Sequence, residues 1–258
     1  MFRQRERFER IDVPTPSALR NMVSLIVIGV VAVATLIICA RCWHKANQMN
    51  YLNDNALYDA LYEQAEVSAP SGGREWSEND HSNVLFFIVD DIHADTPQIQ
   101  AAQILVRDVD ANTAVIANIP INTKLTVGES TTFLSRVFEE HGLAGASMAL
   151  APFTDAANVH VSHVIVATDR IWSQLGTFEG PTLKALLSKQ TNDFDTIASD
   201  FSTGELVRFA ETLQAIGIEN IPQVDAPTNV ENLEDGSEVV TIDRQELPIQ
   251  LGIFVWPA

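Results

Sequence analysis

The feature that most constrains this chain is the run at residues 22–40, MVSLIVIGVVAVATLIICA, nineteen residues without a charge. At 1.5 Å rise per residue, a helix of that length matches a hydrocarbon core about 30 Å thick. A cleaved signal peptide would have a shorter apolar run and a small-x-small site, and Ile38-Cys39-Ala40 is a poor one. A lipoprotein anchor would need a small residue before the modified cysteine, but Arg41 precedes Cys42. A buried core helix would carry polar residues on part of its circumference. The expectation is an uncleaved signal anchor, a single transmembrane helix. Five arginines precede the run, whereas only Arg41 and Lys45 follow it closely. That excess places the N-terminus in the cytoplasm and the rest of the chain outside, at the cell membrane.

Charge divides the chain in the same way. Residues 1–45 hold seven basic and three acidic side chains, net +4; with −18 for the whole chain, residues 46–258 carry −22. A domain that acidic does not bind nucleic acid through its phosphates, which require Lys and Arg. Cys39 and Cys42 are the only cysteines, so the part beyond the membrane edge folds without disulfides. The expected organisation is a basic cytoplasmic tail at 1–21, the anchor at 22–40, a stalk or linker at 41–80, and an extracytoplasmic domain at 81–258. The tail is too short to fold by itself. The stalk expectation rests on the turn-forming, polar stretch SAPSGGREWSENDHS, residues 68–82.

Within the domain, residues 83–89 (NVLFFIV) form a continuous apolar run ending in Asp90-Asp91, the pattern of a strand buried on both faces. Strands are expected at 104–109 and 114–119 around the turn DANT, and another at 159–167, VHVSHVIVA. Helices are expected at 131–141, stopped by Gly142, and at 147–157. A further helix, PTLKALLSKQ, opens at Pro181. Ser202 and Glu205 have capping-box spacing ahead of Leu206, Phe209, Leu213 and Ile216, with Gly217 as the stop. A short strand at 239–242 precedes a last helix capped by Asp243. Interleaved strands and helices imply an α/β fold: a three-layer αβα domain with a central mixed sheet, preceded by one transmembrane helix.

Three segments carry a family resemblance. The strand NVLFFIVD, the strand pair ILVRDVDANTAVIANIP and the segment VSHVIVATDRIWSQLG resemble the LytR-CpsA-Psr family of cell-envelope proteins, once described as transcriptional attenuators. The helix STGELVRFAETLQ and the tail beyond it resemble the family's C-terminal portion, so the similarity spans residues 83–254. The resemblance implies transfer of a glycopolymer from a polyprenyl diphosphate to peptidoglycan, with arginines and a magnesium ion gripping the diphosphate. Guanidinium groups suit that task because they bind phosphate oxygens bidentately. This chain departs from the pattern at those arginines. Pro120-Ile121-Asn122 stands where the family has Pro-Arg-Asp, Asp91-Ile92-His93 lacks the expected arginine, and the later arginine-rich helix is missing between Gly180 and Ser202. Nine basic residues remain after residue 45, and none cluster.

The densest polar cluster is residues 90–95, DDIHAD, at the end of the first strand of the domain, where α/β folds place ligands. Asp90 and Asp95 are the candidate metal ligands, for Mg²⁺ held through oxygen; the bland alternative is a solvated acidic loop. Asp90, Arg107 and Lys124 are the candidate substrate-binding residues, with surface ion pairing as the alternative for the two cations. His160 and His163 could pair at a metal, against a structural role for His163. No GxSxG motif or domain cysteine supplies a nucleophile, and no catalytic residue is assigned.

Three functions follow. The first is a non-catalytic or weakly active family homologue binding a polyprenyl-phosphate lipid or wall glycopolymer, or assisting an active paralogue. The second is a transferase using Arg107, Lys124 and a metal on Asp90. The third is a sensor or adhesion ectodomain without a lipid ligand.

Overall fold

A computed structural model describes residues 35–37, 55–128, 130–168, 197–232 and 238–257. The chain divides into two units, Met1–Lys45 and Ala46–Ala258. Of the first, only 35–37 are described, and they are helical. The rest of the run at 22–40 lies outside the described residues, as does the helix expected at Pro181. Among the described residues no helix is long and apolar enough to cross a membrane.

The second unit has β1 (Glu75–Trp76), β2 (His81–Val89), β3 (Ile99–Asp108), β4 (Thr113–Ile119), β5 (Lys124–Val127), β6 (Ser130–Phe133), β7 (His163–Thr168), β8 (Ile197–Ser199), β9 (Gln223–Asp225), β10 (Thr228–Asn232), β11 (Glu238–Ile242) and β12 (Phe254–Val255). Its helices are α1 (Asn55–Tyr62), α2 (Leu134–His141), α3 (Gly145–Ala157), α4 (Thr203–Ile216) and α5 (Glu246–Gln250). Six strands form a mixed sheet in the order β8-β7-β2-β3-β4-β9. The β2–β3, β3–β4 and β7–β8 pairs are antiparallel, and β2–β7 and β4–β9 are parallel.

The apolar run in β2 has buried side chains on both faces of the sheet. Leu85, Phe87 and Val89 join Ile104 and Val106 of β3 in a core shared with Leu134 and Phe138 of α2 and Leu150 and Phe153 of α3. Phe87 meets Phe138 edge-on at 4.8 Å between centroids. The alternate residues, Val84 and Phe86, join Leu105, Ile116 and Ile165 in a second core packed by Leu206, Phe209, Leu213 and Ile216 of α4. A period of two along each strand therefore serves helices on both faces, and the domain is a mixed α/β fold around a central mixed sheet.

Several boundaries differ from expectation. The helix expected at 131–141 begins at Leu134, because the β-branched Thr131 and Thr132 pair with β5 instead. The strand expected from residue 159 begins at His163; Val159 and Val161 are buried, but Gln64 takes the backbone of Val161. The α4 capping box forms as expected, with Ser202 accepting from the Glu205 backbone and Gly217 ending the helix. Asp243 accepts the N–H groups of Gln245 and Glu246 at the start of α5.

The largest difference lies at 55–80, expected as stalk. Leu57 of α1 is fully buried against the α2–α3 side of the sheet. Gln64 donates to the carbonyls of Leu61 and Val161 and accepts from Thr154 Oγ1 and Val161 N. Ser68 exchanges hydrogen bonds with Asn158, and β1 pairs antiparallel with β12. Turn-forming composition marks the segment as irregular, but irregular backbone packs as firmly as a helix where its polar groups find partners.

Candidate functional site

Asp90 stands where β2 leaves the sheet, and its carboxylate is exposed. Its Oδ1 accepts the N–H of Asp91 at 2.7 Å and of Gln98 at 2.8 Å, while its own N–H donates to Gln98 O at 3.1 Å. These bonds, Gln98 first, hold the Asp90 carboxyl below the ordinary aspartate pKa. Asp91 Oδ1 accepts from the N–H of His93 at 2.9 Å. Both aspartates therefore close the β2–β3 connection on itself. Asp95 belongs to the same loop, and its carbonyl lies 2.9 Å from where a Cβ on Gly142 would stand.

Among the described residues no three His, Cys, Asp or Glu side chains could together hold a metal ion. Asp90 Oδ1 is already engaged by two backbone donors, and Asp95 is exposed. These side chains alone do not make the convergent oxygen set that Mg²⁺ requires.

Arg107 pairs in register with Ser82 of β2 and Ala114 of β4. Asp90 follows the opposite end of β2, about 26 Å away at ~3.3 Å per residue. Among the described residues, Arg107 Nη2 reaches Asn112 Oδ1, at 3.5 Å across the β3–β4 turn, and its buried Nε finds no partner. Lys124, on β5, makes a 3.1 Å ion pair with Glu231 of β10. The fold does not bring Asp90 and Arg107 together. His160 and His163 are three residues apart, and only His163 is in β7.

His163 belongs to a group that sequence spacing does not reveal. Its Nδ1 lies 2.7 Å from Oδ2 of the buried Asp200, whose Oδ1 accepts from the N–H of Val164. The imidazole stacks on Phe201 at 4.0 Å, and Tyr58 Oη donates to Asp200 O. Burial, then the charges of Asp200 and Glu205, push the Tyr58 phenol up. This arrangement ties α1, β7 and the start of α4 together. A second group links the far edge of the sheet: Gln103 and Gln223 both donate to Asn118 Oδ1, and Asn118 donates to Asp225. Partners up to 142 residues apart leave no signal in spacing.

The fold matches a solved structure. Bacillus subtilis TagV superposes with a TM-score of 0.51 at 8% identity, over 68% of this chain and 99% of that chain. The domain has the LytR-CpsA-Psr fold. Other similar structures include B. subtilis TagT, with a TM-score of 0.44 at 12% identity over 72% of this chain and 100% of that chain. The Bacillus subtilis transcriptional regulator yvhJ gives 0.47 at 9% over 68% and 99%. No protein-family model and no curated protein sequence matches the chain. Asp90 thus stands at the end of β2, with Arg107 at the opposite end of the β2–β3 pair.

Proposed function

We propose that this chain is a membrane-anchored, extracytoplasmic member of the cell-envelope polymer machinery. It binds a polyprenyl-phosphate lipid, a wall glycopolymer or an active paralogue, and does not itself transfer polymer. The anchor reading rests on the uncharged run at 22–40 and the basic tail before it. The polymer reading rests on the fold together with the sequence resemblance.

The observation that carries the non-catalytic part is the placement of cations. Phosphoryl chemistry is catalysed by positioned positive charge. Among the described residues, Lys124 is engaged with Glu231, Arg136 with Glu140 and Arg244 with Asp155, while Arg107 sits at the far end of β3 from Asp90. Each missing donor of such a clamp costs about 10²–10³ in rate, so losing the three motif positions removes most of the acceleration. A transferase built on Asp90, Arg107 and Lys124 would need these side chains to converge on one diphosphate.

Mass spectrometry of lipids extracted from gently purified full-length protein tests the reading. An active family member purified alongside serves as the positive control. A stoichiometric polyprenyl phosphate or diphosphate is the expected result if the chain binds the lipid carrier. No lipid in this chain, with lipid in the control, would remove the carrier and leave the polymer or protein partner. Measurable polymer transfer by the purified chain, lost in Asp90→Ala, would overturn the non-catalytic reading.

A further inference from the structure

We draw no further inference here: the strongest candidate, the side-chain cluster of His163, Asp200 and Tyr58 where α1 meets the starts of β7 and α4, belongs to the tie between those elements already described, and nothing among the described residues shows what covers its part-exposed imidazole.

Discussion

Replacing Gln64 by alanine tests whether residues 55–80 are part of the domain. Its amide makes four hydrogen bonds: Nε2 donates to Leu61 O at 2.8 Å and Val161 O at 2.7 Å, and Oε1 accepts from Thr154 Oγ1 at 2.7 Å and Val161 N at 2.8 Å. Thr154 and Val161 are fully buried, so neither regains a water partner easily. Each buried group left without a partner costs about 1–3 kcal/mol, and neighbouring losses do not add fully. The expected loss for Gln64→Ala is about 2–4 kcal/mol. For a unit of this size that lowers Tm by about 5–12 °C. Thermal unfolding of the full-length protein, followed by near-UV circular dichroism, reads the effect. Gln64→Glu keeps an acceptor for Thr154 and Val161 N but sets a carboxylate against two carbonyls, so it should recover little. A change below about 0.5 kcal/mol, the level of an ordinary surface substitution, would refute the packing of this segment and return it to a stalk.

Gly142→Ala should destabilise by about 2 kcal/mol or more, because φ is +60° and the new Cβ would lie 2.9 Å from the Asp95 carbonyl; denaturant unfolding checks it. Ser202→Ala should cost about 1 kcal/mol by removing the α4 cap. It should also flatten the acid limb of stability: donation from the Ser202 hydroxyl and N–H lowers the Glu205 pKa from 4.5, so that contribution is complete above pH 4.5 and lost as pH falls through the lowered value. Unfolding midpoints of wild type and variant across that range read the difference. Asp90→Ala should speed amide hydrogen exchange at Asp91 and Gln98, whose N–H groups it releases, with no dependence on Mg²⁺. Mg²⁺-dependent protection in wild type, absent from the variant, would instead establish Asp90 as a metal ligand.

Local patterns were legible wherever neighbouring residues settle the outcome. The β2 run could only be a strand buried on both faces, and Ser202, Glu205 and Gly217 bound α4 through contacts within a few residues. The start of α2 was misjudged because Phe133 continues the helical period, while Thr131 and Thr132 are claimed by β5. Arg107 was misplaced for a related reason. It lies near the end of a strand expected beside Asp90, but antiparallel pairing sends the end of β3 to the start of β2. Once β3 is read as the return strand of a β2 hairpin, that separation is already implied.

The sequence alone determined the charge division, the nineteen-residue apolar run, the alternation of strands and helices, and the departures from the family's arginine motifs. Composition and short-range period decide those properties. Tertiary structure alone decided that Gln64 bridges to Thr154 and Val161, that Asp200 holds His163, and that Arg74 lies over the Trp256 ring. The partners in each group are separated by many residues, and no periodicity encodes them. They meet because the sheet order β8-β7-β2-β3-β4-β9 and the β1–β12 pairing return distant segments to one another.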